Sequence, residues 1–204
     1  MSLQSRAVTM TKQMIQIEST DPGTYENAMA DWITTQLAPY PNVRLSSQEV
    51  LPGRPNLIAE LTGDPSLPAL VMICHMDTVV VGDGWTLPPF DAIEKDGKIY
   101  GRGACDMKSG LACCLSAFQY AAETLQTSGK PPRQTLKLIC SMDEEDFMRG
   151  SEACIQAGWV TDHDWVIDAE PTNGQIQMAH KGRTWYEIDV QGHTAHASTP
   201  WKGA

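Results

Sequence analysis

The stretch Ala69-Leu70-Val71-Met72-Ile73-Cys74-His75-Met76-Asp77 decides the fold class. Its first six residues form a continuous apolar run after Pro68, which is typical of a strand buried on both faces of a mainly parallel sheet. The polar residues that follow then lie at the carboxyl end of the strand. In open α/β sheets, ligands bind at that edge.

The same pattern recurs further along the chain. Apolar strands are predicted at 135–141 and 165–167, and they are followed by Asp143-Glu144-Glu145 and Asp168-Ala169-Glu170. Alternation of strands with helices predicts an α/β fold, with a mainly parallel central sheet flanked by helices. The remaining predicted elements are helices at 5–18, 24–38, 108–124 and 150–157, strands at 43–50 and 56–61, and a Gly- and Pro-rich loop at 82–106.

The character of the sequence changes near residue 178. Residues 184–190 alternate like a half-exposed strand of a different sheet. We therefore expect two domains, the first at 1–177 and the second beginning at 178–204.

Composition limits the function classes. The net charge is −10, from 25 acidic against 15 basic residues, so no basic surface for nucleic acid or anionic membranes is expected. The first twelve residues lack the apolar core of a signal peptide, and no segment is long enough to span a membrane. These features predict a cytoplasmic protein.

The six cysteines could form three disulfides by number alone. However, several of them lie in apolar strands or in the helix at 108–124, and no Cys-x-x-Cys pair occurs. We therefore expect buried free thiols and no zinc site made of thiolates.

Four short segments carry candidate chemistry, and each also has a plainer interpretation. His75-x-Asp77 can ligate a metal and orient the ligand, but three-residue matches arise by chance. Asp106, before a helix, can bridge cations or simply cap the helix. The acids at 143–145 can supply a metal ligand and a general base, or can simply be solvated by water. Glu170 can be a ligand or an ordinary loop carboxylate.

Taken together, the four segments favour a metal site. Each lies at the end of a predicted strand or in the loop beyond it. Histidine nitrogen and carboxylate oxygens together suit zinc or another divalent ion.

The motifs resemble the di-zinc family of aminoacylases, carboxypeptidase G, acetylornithine deacetylase and succinyl-diaminopimelate desuccinylase, which also includes di- and tripeptidases. The matching segments, which keep the family's order, are His75-Met76-Asp77-Thr78-Val79, Trp85, Pro89-Phe90, Gly101-Arg102-Gly103, Asp106-Met107-Lys108-Ser109-Gly110, Asp143-Glu144-Glu145 and Glu170-Pro171-Thr172.

This resemblance implies roles for individual residues. Two divalent metal ions, zinc or alternatively cobalt or manganese, would share Asp106 as a bridge. His75 and Glu170 would complete one metal site and Glu145 would bind the other metal, with Asp77 orienting His75. Glu144 would be the general base and acid, and the Asp106–Met107 peptide bond would be cis.

The resemblance also implies a lid. Residues from 178 would begin an inserted, ferredoxin-like α/β lid domain that often forms homodimers. Its His196, rather than His193, would stabilise the oxyanion. The family's last histidine ligand and its substrate-binding arginine would lie beyond residue 204. The family usually has a glycine soon after the paired glutamates, whereas this chain has Asp146-Phe147-Met148-Arg149 there.

The expected reaction is hydrolysis of the amide bond in N-acyl amino acids or short peptides that carry a free carboxylate, with deacylation favoured over peptide cleavage. A metallo-β-lactamase-like hydrolase is one alternative, but it needs a cluster richer in histidine than His75-Met76-Asp77. A truncated homologue that binds metal or a partner without turnover is the other.

Overall fold

The computed structural model describes residues 2–179 and 181–204. The chain divides into two compact units, Met1–Pro171 and Thr172–Ala204. The sequence predicted a boundary six residues further on, and that boundary stays a prediction.

The first unit is an α/β structure, as predicted. Its helices are α1 (Leu3–Ile15), α2 (Asn27–Leu37), α3 (Ser109–Ser128) and α4 (Arg149–Gln156). Its strands are β1 (Thr20–Asp21), β2 (Arg44–Leu51), β3 (Arg54–Leu61), β4 (Leu70–His75), β5 (Thr78–Val79), β6 (Ile93–Lys95), β7 (Lys98–Tyr100), β8 (Leu136–Ser141) and β9 (Trp165–Asp168).

The central sheet has the order β2-β3-β8-β4-β9. Strand β4 is parallel to both β8 and β9, whereas β3 is antiparallel to both β2 and β8. Strands β2, β8, β4 and β9 therefore run in one direction, and only β3 opposes them. We call the edge where β4, β8 and β9 end the carboxyl edge, and the opposite edge the amino edge.

Alternation along the central strands divides the core between the two faces of the sheet. Met72 and Cys74 pack with α1, α2 and α3, whereas Val71 packs on the other face with Cys154 of α4. Burying one large apolar side chain such as Phe118 contributes about 1.5–3 kcal/mol. Helices on both faces thus fix the strands, and with them the loops at the carboxyl edge.

Two expectations about local structure were wrong. The predicted loop at 82–106 contains the hairpin β6–β7, which turns at Asp96-Gly97, where both residues have positive φ. Residues 184–190 form no strand, and all seven are exposed. An extended segment becomes a strand only when a neighbour supplies a hydrogen-bonding ladder, and none of the described residues does so here.

The described cysteines are all free thiols, as expected. Four of them are buried, but Cys105 and Cys113 are exposed. Cys113 is exposed because it lies on the outer side of α3, next to the buried Cys114. In the described part of the chain, no helix is long and apolar enough to cross a membrane.

Candidate metal centre

The predicted site residues of the first unit meet at the carboxyl edge. His75 is the last residue of β4 and pairs in register with Ser141, the last residue of β8. Glu144 and Glu145 follow β8 within four residues, and Glu170 follows the end of β9 by two. Asp106 comes from the turn Ala104–Lys108 before α3. Parallel strands that end together therefore bring these side chains into one cluster.

The buried ring of His75 is the centre of this cluster. Its Nδ1 donates to the carbonyl oxygen of Asp77 at 2.8 Å, since a carbonyl can only accept. Its Nε2 lies 3.1 Å from Asp106 Oδ1, 3.4 Å from Glu170 Oε1 and 3.8 Å from Glu144 Oε2. A ring nitrogen and carboxylate oxygens at such distances need a proton or a cation between them.

The carboxylates around His75 also favour a positive charge at its ring. Burial of the ring opposes its protonated form, but the carboxylates of Asp106, Asp77 and Glu170 raise the pKa of His75 well above its ordinary value. His75 in turn lowers the pKa of Asp106. An electric field that holds a proton on a buried imidazole also attracts a divalent cation to the same place.

Asp77 orients more than His75. Its fully buried carboxylate accepts the backbone N–H of Glu144 at 3.1 Å through Oδ1 and that of Glu145 at 2.9 Å through Oδ2. Its Oδ1 also lies 3.6 Å from Nδ1 of His75. One side chain therefore sets the relative positions of the histidine and the paired glutamates.

Hydrogen bonds from Lys108 connect the turn that carries Asp106 to the carboxyl end of α1. The Asp106–Met107 peptide bond is cis, as the resemblance implied. The buried Lys108 donates from Nζ to the carbonyl oxygens of Met14 at 3.0 Å and Ile17 at 2.7 Å, and burial lowers the pKa of Lys108 to about 7. Asp106 does not cap α3, because its carboxylate lies against His75 instead.

The three consecutive acids do not all face the site. Glu144 and Glu145 contribute to the cluster, and burial raises the pKa of both, that of Glu144 to about 7. Asp143 is instead turned inward, where Arg149 donates to it from Nε and Nη2, both at 2.6 Å. Arg149 therefore relieves part of the electrostatic repulsion among the three consecutive acids.

The acidic loop turns without the glycine that the family usually has there. Asp143 and Met148 both have left-handed backbone conformations, and the N–H of Met148 donates to the carbonyl oxygen of Asp143 at 2.7 Å. The loop closes in this way without a glycine at Met148.

The donor set fits divalent cations. Ligand atoms of His75, Asp106 and Glu145 lie within 4.8 Å of one another, as do those of His75, Glu144 and Glu170. Mixed nitrogen and oxygen donors at this spacing suit zinc, cobalt or manganese. The predicted ligand roles of these residues are consistent with this geometry and stay predictions.

His196 belongs to the second unit. Its Nδ1 lies 2.8 Å from the hydroxyl of Ser198, in a small exposed turn. The N–H of Thr199 donates to the carbonyl oxygen of His196 at 2.8 Å and closes this turn, and two backbone hydrogen bonds between His193 and Ala204 close the longer loop around it. The proposed reach of His196 to an active site stays a prediction.

A family model described as peptidase family M20/M25/M40 matches residues 71–202. The chain belongs to this family. It is 38% identical over 152 residues to a probable succinyl-diaminopimelate desuccinylase from Staphylococcus aureus, an alignment that covers 74% of this chain and 36% of the relative. It is 33% identical to acetylornithine deacetylase from Proteus mirabilis, over 87% of this chain and 43% of the relative. The chain thus spans less than half the length of these relatives.

Solved structures show the same fold at lower identity. Human carnosine dipeptidase 1 aligns with a TM-score of 0.65 at 23% identity, over 81% of this chain and 38% of its own. A Bacillus subtilis protein, YXEP, described as a dinuclear metal-binding peptidase of the M20 family, aligns with a TM-score of 0.55 at 17% identity, over 81% of this chain and 42% of its own. At such identities the likeness establishes the M20 fold of the first unit.

Several supporting residues were not predicted from the sequence. Arg54, Glu26 and Asp143 form a buried ionic network behind the site, and Lys108 anchors the turn of Asp106. The only sequence signal for Arg54 is a positive charge at the start of a mainly apolar strand.

Proposed function

We propose that the protein is a metal-dependent amidohydrolase that uses water to cleave the amide bond of N-acyl amino acids or short peptides. The observation that carries this proposal is the arrangement around His75. There, Nε2 of a buried imidazole faces three carboxylates from three different loops, at 3.1–3.8 Å. Family membership supports the same chemistry.

The proposed centre takes two divalent ions, with zinc favoured and cobalt or manganese as alternatives. His75, Asp106 and Glu170 would hold one ion, while Asp106 and Glu145 would hold the other. Such ions supply Lewis-acid chemistry, polarising an amide carbonyl and making water more acidic. The acidic residues of the cluster provide the compensating negative charge.

Glu144 is the proposed general base. Its carboxylate lies beside the cluster, and burial raises the pKa of Glu144 to about 7, which suits a group that takes up and returns a proton near neutral pH. Glu144 accepts the proton of the attacking water and then delivers it to the leaving amine. Asp77 keeps Glu144 in place through the backbone N–H of that residue.

The proposed substrate is a small molecule with a free carboxylate, and deacylation is favoured over peptide cleavage. The desuccinylase and deacetylase relatives are 33–38% identical, whereas the dipeptidase neighbour is 23% identical. Nucleic acid is not a proposed substrate, because the net charge is −10. Dimerisation through the lid is part of the same proposal.

His196 is the proposed oxyanion donor of the lid. Removing one such donor lowers kcat by about 100–1,000-fold. The complete natural protein with His196→Ala should show this loss, and His193→Ala serves as the matched control. Equal activity in the two variants would contradict the role given to His196.

The test of the proposed function is a metal-exchange assay on the complete natural protein. N-acetyl and N-succinyl amino acids and dipeptides are offered before and after treatment with a chelator, and again after adding zinc, cobalt or manganese. Hydrolysis should disappear on chelation and return with metal. A substrate blocked as its methyl ester should react more slowly.

Two results would overturn the proposal. One is hydrolysis that survives complete removal of metal. The other is a protein that retains its metal but hydrolyses none of these substrates, which would favour a non-catalytic metal-binding module.

A further inference from the structure

Arg54 lies behind the candidate metal centre and touches none of its proposed ligands. It is the first residue of β3 and is 8% exposed. Its guanidinium donates from Nε to Glu26 Oε2 at 2.8 Å and from Nη2 to Asp21 Oδ2 at 2.5 Å and to Glu26 Oε1. It also lies 4.1 Å from the ring of Tyr25. The planar guanidinium thus presents Nε and Nη2 side by side to the two oxygens of Glu26, a bidentate geometry that a lysine cannot reproduce.

Glu26 connects Arg54 to the acid loop, which we define as residues 143–146. Glu26 is fully buried, and its Oε1 also accepts the backbone N–H of Asp143 at 3.1 Å. The next two backbone N–H groups, of Glu144 and Glu145, donate to Asp77. Two buried carboxylates therefore fix three consecutive peptide groups of the acid loop.

These carboxylates need a cation nearby. Oxygen atoms of Asp21, Glu26 and Asp77 lie within 4.8 Å of one another, and all three residues are buried. Like charges at this separation repel strongly where water cannot screen them. The guanidinium of Arg54 pairs with two of the three and lies 3.7 Å from Asp143 Oδ1. The guanidinium thus lets the carboxylates of Glu26 and Asp77 lie close together, where both accept N–H groups of the acid loop.

We propose that Arg54 and Glu26 are positioning residues of the metal centre, acting through the backbone of the acid loop on Glu144 and Glu145. This inference rests on the proposed function. Loss of the Arg54–Glu26 pair releases the N–H of Asp143 and shifts the two glutamates relative to His75. Residues that hold ligands in place in this way typically change metal affinity or activity by about 10–100-fold.

The chain offers a matched control at the other end of the same strand. Glu60 lies in β3 and, like Glu26, is a buried acid. Its Oε1 accepts a hydrogen bond from Nη2 of Arg44 at 2.9 Å. Glu60 pairs in register with Lys137 near the start of β8, so it lies at the amino edge, away from the acid loop. Glu26→Gln and Glu60→Gln thus make the same chemical change to an arginine-bound acid, with only the first connected to the metal centre.

The experiment compares these two variants in the complete natural protein. For each, the thermal unfolding midpoint, the affinity for Zn²⁺ in competition with a chromophoric chelator, kcat and KM are measured. We expect Glu26→Gln to lower Zn²⁺ affinity and kcat by about 10–100-fold, with KM changed less than about threefold. Glu60→Gln should leave Zn²⁺ affinity and kcat within about twofold of the wild type, since it does not touch the acid loop.

Arg54→Lys is the second variant, because it retains the positive charge but loses the fork of donors. We expect Arg54→Lys to lower Zn²⁺ affinity less than Glu26→Gln does. If Glu26→Gln is unfolded at the assay temperature, the Zn²⁺ affinity and kcat of Arg54→Lys test the inference in its place. Zn²⁺ affinity and kcat within about twofold of Glu60→Gln in the folded variant would overturn the inference. A wild type without metal-dependent hydrolysis would instead overturn the proposed function.

Discussion

The charged side chains at the two edges of the central sheet differ in their burial. At the amino edge, charged side chains pair where at least one partner reaches solvent: the side chain of Arg44 is 62% exposed beside Glu60. At the carboxyl edge, Arg54, Glu26, Asp77, Asp143 and His75 are all buried. Burying charge is costly unless every group is paired. The strands that carry both edges are the same, so the difference lies in what each edge holds in place.

This contrast predicts different consequences for similar substitutions. A change at the amino edge should alter stability slightly and chemistry not at all. A change at the carboxyl edge should alter chemistry or the geometry of the acid loop. The following predictions test the contrast, and each concerns the complete natural protein.

The largest effect is expected for Glu144→Gln. The amide cannot take up a proton, so kcat should fall by at least about 100-fold and up to about 10,000-fold, while both metal ions are retained. Steady-state kinetics together with metal analysis check this outcome. Loss of metal with loss of turnover would mean that the roles of Glu144 and Glu145 are interchanged.

Asp77→Asn should have the next largest effect. An asparagine can accept only one of the two N–H groups that Asp77 accepts from Glu144 and Glu145, and it loses the charge that faces His75. We expect metal affinity or kcat to fall by about 10–100-fold. Competition titration with a chelator measures the affinity, and wild-type affinity and kcat would show that Asp77 positions neither group.

Gly150→Ala tests the packing below the acid loop. A Cβ at this position would lie 2.3 Å from the carbonyl oxygen of Met142 and 2.6 Å from Oδ1 of Asn56. We expect a loss of about 1–3 kcal/mol in the free energy of unfolding, since neither neighbour can move without breaking the hydrogen bond from Met142 N–H to Asn56 at 3.0 Å.

The control for Gly150→Ala is Ser151→Ala in the same helix, which should change the free energy of unfolding by less than about 0.5 kcal/mol. Denaturant titration measures both variants. Equal free energies of unfolding for Gly150→Ala and Ser151→Ala would show that the close approach of Gly150 to Met142 and Asn56 is not required.

The smallest effect is expected at the amino edge, for Asp164→Asn. Asp164 accepts the N–H of Ala69 at 3.1 Å and that of Thr161 at 2.9 Å. Burial opposes ionisation, but these donors and the hydroxyl of Thr161 outweigh it and lower the pKa of Asp164. We expect a stability loss below about 1 kcal/mol at pH 7 and unchanged kcat.

The pH dependence of this small effect has a definite sign. The pKa of Asp164 is lower in the folded than in the unfolded chain, so its ionised form stabilises the fold above the unfolded value and the contribution is lost as the pH falls through the folded value. The difference in melting temperature between wild type and Asp164→Asn should therefore shrink between pH 7 and pH 3. A difference that grows over this range would contradict the sign.

Much of the carboxyl edge was predictable from sequence because its residues follow apolar strands directly. His75 comes after the run 69–74, and Glu144 and Glu145 come after 135–141, so strand order alone brings them together. The network of Arg54, Glu26 and Asp143 was not predictable in this way. Its members are separated by up to 117 residues and belong to no motif, and only the three-dimensional register joins them.

Two local errors have clear causes. The β6–β7 hairpin could have been found, since Asp96-Gly97 is a strong signal for a two-residue turn. The segment 184–190 could not be settled from its alternation, because alternation describes which faces a strand would have but does not supply the neighbouring strand that it needs.

Metal binding by two histidine variants tests the central claim most directly. His75 is buried at the carboxyl edge, whereas His163 is exposed near the amino edge, before β9. Bound metal per chain is measured for wild type, His75→Ala and His163→Ala after equilibration with excess Zn²⁺ and removal of free ions. The account predicts two ions in the wild type and in His163→Ala, and fewer in His75→Ala. Equal metal content in His75→Ala and the wild type would contradict it.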